Sequence, residues 1–262
     1  MLGMLSLREL ALPPLLQTDP VKKASMTLAL DLTLPTGAEL QIPAPVGIPG
    51  RPSLPKLVHP TALRQASLRT ADGKAALIHS IVHIEFNAID LALDIVWRFP
   101  GMPDAFYLDW LRIAQEEATH FTLLRNHLLT YGFDYGDFDA HNTLWDMAVR
   151  TQDDLLARIA LVPRTLEARG LDASPVVKHK LVSAGDHRAG EILDLILREE
   201  IGHVAAGNRW YRYLCTLRGL NPLTTYAELA VRYNAPKLRA PFNLPARRLA
   251  GFEEDELLAL GT

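Results

Sequence analysis

The chain has 262 residues, 48% of them hydrophobic, which suffices for one sizeable core or at most two small domains. Its 27 basic and 30 acidic residues leave a net charge of −3, which gives no electrostatic case for nucleic acid or an acidic membrane surface. The single cysteine, Cys215, excludes an intrachain disulfide and fits a reducing compartment, and no apolar run looks long enough to span a bilayer.

Residues 1–70 form a proline-rich segment that holds ten of the 18 prolines, which excludes a long helix. The apolar start, residues 1–16, is interrupted by Arg8 and Glu9 and shows no secretory cleavage pattern, so a cytoplasmic protein is expected. A short helix is expected near residues 4–12. Residues 25–34 alternate in places and suggest a short strand. The rest reads as an extended arm that wraps its own domain or a partner subunit, which leaves a homodimer open.

Residues 71–219 change character. Thr70 or Asp72 caps a helix running to about Arg98, where Pro100-Gly101 stops it. Pro103 opens a second helix that reaches about Tyr131, ahead of Gly132. A third helical region covers residues 142–169, is kinked or split by Pro163, and ends at Gly170. Ser174-Pro175 opens a fourth, running to about Arg218, with Gly185 as a break point. Residues 220–262 form a C-terminal extension packing on the bundle, with short helices near 224–232 and 253–260. Four long helices with short links and nearly no strand predict an all-α four-helix bundle and exclude the phosphate loops of α/β enzymes.

Two of these helices repeat one motif. The second contains Glu116-Glu117-Ala118-Thr119-His120, and the fourth contains Glu199-Glu200-Ile201-Gly202-His203. Glu117 with His120, and Glu200 with His203, lie three apart on one helical face, so each carboxylate and imidazole can reach one metal together. One Glu-x-x-His arises readily by chance; two, each preceded by a further Glu, do not. A two-metal bundle site also needs a carboxylate from each remaining helix. The first helix offers Glu85, its only glutamate, and the third offers Glu167, whose plainer alternative is an ion pair with Arg164 or Arg169. Glu85 precedes Glu117 by 32 residues and Glu167 precedes Glu200 by 33, so the chain repeats a helix pair.

The candidate metal ligands are therefore Glu85, Glu117, His120, Glu167, Glu200 and His203. Four carboxylates nearly neutralise two divalent cations. Oxygen and imidazole donors suit iron first, with manganese or zinc as ions the same donors accept. Glu116 and Glu199 point about 100° away from the ligands, towards a neighbouring helix. They are expected to orient the histidines, Glu199 on the Nδ1–H of His120 and Glu116 on that of His203. His79, His83 and His187 fall off the ligand stripe and read as surface or hydrogen-bonded core residues. Arg239, Arg247 and Arg248 in the tail read as ion-paired.

The order Glu, Glu-x-x-His, Glu, Glu-x-x-His resembles the ferritin-like di-iron carboxylate superfamily. The acid-Glu-x-x-His doublets resemble those of bacterial multicomponent monooxygenases, and Leu166-Glu167-Ala168-Arg169 is similar to the third-helix motif of ferritin-like tRNA hydroxylases. More closely, His83-Ile84-Glu85, the stretch from Ala114 to Phe121, Leu161-Val162-Pro163-Arg164, Leu166 to Asp172 and Glu200 to Val204 resemble a bacterial ferritin-like domain family of unknown function. That resemblance extends to Pro241-Phe242-Asn243 and Ala246-Arg247. It implies the ferritin-like fold and the metal site, and no substrate.

Three functions are then expected, in order. The first is an oxygen-activating di-iron oxidoreductase, hydroxylase-like, acting on a small-molecule substrate with dioxygen and an electron donor that the residues do not specify. The second is a ferroxidase or iron-handling protein. The third is a metal-stabilised binding module without catalysis. Neither nucleic acid nor a membrane is an expected partner.

Overall fold

The computed structural model describes residues 5–63 and 66–260. It is all-α, a helical-bundle fold in which the only β-type pairing among the described residues is an isolated bridge between Leu57 and Ala140. The chain divides into two compact units, residues 1–142 and 143–262.

The first unit opens with α1 (Leu7–Leu10), α2 (Leu12–Leu16) and α3 (Pro20–Leu28). The helix expected near residues 4–12 is thus α1 and the start of α2, with Met4 outside the described residues. Ser6 and Glu9 form a reciprocal cap on α1. The strand suggested for residues 25–34 is a helix up to Leu28. Asp19 accepts the N–H groups of Val21 and Lys22, and Pro20 sits at the first helical position, a start signal stronger than a partial alternation.

Next comes a hairpin of two long helices, α4 (Ala71–Arg98) and α5 (Asp104–Leu129), packed along their length. Thr70 caps α4 through the N–H of Gly73, and Gly101, at φ +81°, turns the chain into α5. Every residue from 85 to 97 of α4 is buried. By composition α4 is long and apolar enough to cross a bilayer, which the sequence reading missed, yet 72% of its apolar window is buried, as in a core helix.

The arm covers part of this helix within its own unit. The fully buried Arg8 donates to the carbonyls of Val96 (2.9 Å) and Trp97 (2.6 Å), among the last of α4, which have no intrahelical partner. The buried Lys23 pairs with Asp90 and also donates to Gly50 O at 2.9 Å. The loop after α5 is pinned back by two histidines. His79 Nε2 accepts the N–H of Gly136 at 2.9 Å; His83 donates from Nε2 to His141 O at 2.8 Å and accepts the Tyr135 hydroxyl at Nδ1. Both are hydrogen-bonded core residues, and burial holds both well below the usual range, at about 4.

The second unit contains α6 (Thr143–Arg150), α7 (Leu155–Leu161), a π-helical turn (Val162–Glu167), α8 (Ala168–Ser183), α9 (His187–Leu217), α10 (Pro222–Arg232), α11 (Leu244–Leu249) and α12 (Glu254–Ala259). The expected split at Pro163 is present as the π turn, where the Thr165 hydroxyl donates to Ala160 O at 2.7 Å. The turn lies against α9 at Gly207, where a β-carbon would meet Pro163 at 3.2 Å.

The region expected as one helix over 142–169 is also interrupted at residues 151–154, between α6 and α7, and two boundaries around α8 differ from the sequence expectation. Gly170 and Pro175 lie inside α8, and the break falls at Gly185 (φ +86°). Pro175 has no N–H, so it releases the carbonyl of Leu171, four residues earlier. That carbonyl accepts the side-chain amide of Asn243 instead, at 3.1 Å. Asn243 N–H and Arg247 both hold Asp172 in the same helix. The tail therefore supplies what the proline removes, and Ala246, Ala250, Phe252 and Leu257 join Ala168, Leu171 and Val204 in one core.

Asn243→Ala is expected to destabilise the protein by about 1–3 kcal/mol, because the Leu171 carbonyl is left buried and unpaired. In a Pro175→Ala background the cost should fall towards about 1 kcal/mol, the residue of the lost α11 cap. Urea unfolding of the four variants checks this; equal costs in both backgrounds would contradict it.

Candidate metal centre

In the first unit, α4 supplies Glu85 and α5 supplies Glu117 and His120. Packing of the hairpin brings all three together: His120 Nδ1 lies 3.2 Å from Glu85 Oε2 and 3.3 Å from Glu117 Oε2. One donor atom from each lies within 4.8 Å of the others, and the three residues are 4%, 1% and 0% exposed. This buried Glu/His cluster could bind a metal ion. Phe86 and Phe121, each one residue after a cluster member, meet Tyr135 at ring distances of 5.1 and 5.6 Å. Sequence reasoning passed over this aromatic wall; its one signal was an aromatic directly following each of Glu85 and His120.

In the second unit, Glu200 and His203 lie on one face of α9, with His203 Nδ1 3.4 Å from Glu200 Oε1, and both are buried. Glu167 is half-buried at the last position of the π turn. Arg164, one of its plainer partners, instead pairs with Glu256. Glu116 and Glu199 are half-buried beside the motif glutamates. His120 Nδ1 faces the carboxylates of Glu85 and Glu117, and His203 Nδ1 is buried.

The electrostatics of the first cluster follow from burial. Desolvation, then the charge of Glu117, pushes the Glu85 carboxyl up to about 7. Burial opposes a charged imidazole at His120, but hydrogen bonds and charge from Glu117 and Glu85 outweigh it and push it up to about 11. Without a metal the cluster thus retains protons that balance its carboxylates. The imidazolium contributes stability that is full below about 6.5 and lost as pH rises through about 11. The raised carboxyl weakens the fold as pH rises from about 4.5 to about 7.

The fold and this cluster define an all-α protein with a buried carboxylate and histidine site suited to a metal ion. The chain matches, over residues 16–258, the model of a family described as "Protein of unknown function (DUF455)". It belongs to that family. It is also 49% identical over 213 residues, 79% of this chain and 74% of the relative, to a protein of Haemophilus influenzae (strain ATCC 51907 / DSM 11121 / KW20 / Rd) described as "Uncharacterized protein". No solved structure matches significantly.

Because a metal must displace the protons held at His120 and Glu85, binding at pH 7 is expected to release about one to two protons per chain from this cluster, with affinity rising from pH 6 to pH 8. A pH-indicator titration checks it, with His120→Ala as reference. Metal uptake without proton release, or release unchanged in the variant, would contradict the assignment.

Proposed function

We propose that this protein is a ferritin-like di-iron carboxylate protein that activates dioxygen as an oxidoreductase, hydroxylase-like in chemistry. The observation that carries the reading is the buried cluster of Glu85, Glu117 and His120. Carboxylate and imidazole donors without thiolate favour iron or manganese over a closed structural zinc. Each unit holds one Glu-x-x-His on a single buried helix face, and the repeat spacing pairs Glu85 with Glu117 and Glu167 with Glu200. In this reading the six residues serve one two-metal centre.

The protein's own groups would then work as follows. Glu117, His120, Glu200 and His203 hold the ions, and Glu85 and Glu167 add a carboxylate each. Two ferrous ions, if bound, would give dioxygen two electrons, and an external electron donor would return them in each turnover. His120 must give up its proton when metal enters, and Glu85, held near neutrality, is placed to keep or pass one. Phe86, Phe121 and Tyr135 pack on one another, with Phe86 and Phe121 each directly following a member of the first cluster. Glu116 and Glu199 would orient the histidines, which fixes their tautomer and raises their basicity.

Anaerobic loading with ferrous iron should give about two ions per chain. Glu117→Ala and Glu200→Ala should each lower that number, as variants of a single centre would. Glu116→Ala and Glu199→Ala should keep the fold and weaken iron affinity by about 10–100-fold. Oxygen exposure followed by stopped-flow absorbance should show a fast optical change in the wild type and not in Glu117→Ala. A reduced, loaded protein inert to oxygen would overturn the oxidoreductase reading, and full iron retention in Glu200→Ala would overturn the shared centre.

A further inference from the structure

The second unit carries a second feature, a groove whose lining includes no candidate metal ligand. The groove, of about 700 Å³, lies between α8 and residues 236–242 of the tail. One wall is a single face of α8: Arg169, Ala173, Val176 and Lys180 follow at three- and four-residue steps, which places two cations about 16 Å apart with apolar surface between them. The other wall adds Lys237 and Arg239, with Leu238 and Phe242 partly buried beside them. This wall is anchored to the helix, because Asn243 binds Leu171 and Asp172.

The charge of the groove is unbalanced. Arg169, Lys180, Lys237 and Arg239 are exposed and have no ion-pair partner among the described residues. Asp172, the one carboxylate in the lining, is engaged by Arg247 through two hydrogen bonds of 3.0 and 2.6 Å. Elsewhere on this unit Lys178, Arg188, Arg212 and Arg248 each face a carboxylate. Of the three tail arginines expected to be ion-paired, Arg247 and Arg248 are, and Arg239 is the exception. Four exposed cations thus line one groove without a carboxylate to answer them among the described residues.

We propose that this groove binds a phosphorylated small molecule. Phosphate oxygens are held by the arginine and lysine groups, for which guanidinium forks and ammonium charges are suited. The apolar body of the ligand lies on Val176, Leu238 and Phe242, and the volume falls in the range of small-molecule sites. The groove shares no residue with the metal reading, so each stands or falls alone.

Calorimetry on the metal-free full chain, with pyrophosphate, ATP and adenosine as probes, tests the inference. Pyrophosphate and ATP should bind, ATP more tightly, and adenosine should not. The double variant Lys180→Glu/Arg239→Glu should weaken both by about tenfold or more, whereas Arg188→Glu should not. Should the double variant lose its helical circular dichroism, Lys237→Gln in the exposed tail should give a smaller weakening of the same kind. Silent pyrophosphate and ATP titrations, equal affinities in a folded groove variant, or binding confined to an RNA oligonucleotide or to phosphatidate vesicles would overturn it.

Discussion

The first unit is organised around the cost of placing two carboxylates and an imidazole in a core. Glu85, Glu117 and His120 are almost wholly buried, and desolvation alone would disfavour the charged forms of Glu85 and His120. Protons retained at His120 and Glu85 offset that cost in the metal-free chain, and a cation would offset it more fully. The register of α4 against α5 is what brings these groups together. The arm is one means of holding that hairpin: Arg8 closes the carbonyl end of α4, Lys23 neutralises Asp90, and the loop after α5 is tied to His79 and His83.

The second unit meets a different constraint. Its helix α8 runs through Pro175, and continuity depends on the amide of Asn243 replacing the lost backbone donor. The same anchoring holds the tail beside α8 and creates a groove whose cations have no counter-charge among the described residues. A segment that reads as an irregular extension thus completes a helix and builds a surface.

Much of this was legible in the residues. The cap at Thr70, the turn at Gly101 and the Glu-x-x-His spacing act within a few residues, and local rules read them. The helix α8 was not legible. Gly170 and Pro175 are honest local stop signals, overruled by Asn243 about 70 residues away. The same holds for residues 25–28, where a cap six or more residues upstream outweighed a weak alternation. The buried roles of Arg8 and Lys23 gave no sequence signal, since charged residues in an arm read as solvated.

The central claim is that Glu85, Glu117 and His120 form part of a two-metal centre. X-ray absorption at the iron edge on the reconstituted full chain tests it most directly. The account expects a first shell of oxygen and nitrogen only, with an iron–iron scattering path at about 3.5–4 Å that disappears in Glu117→Ala. An isolated iron with no metal–metal path, or a shell unchanged in that variant, would contradict it.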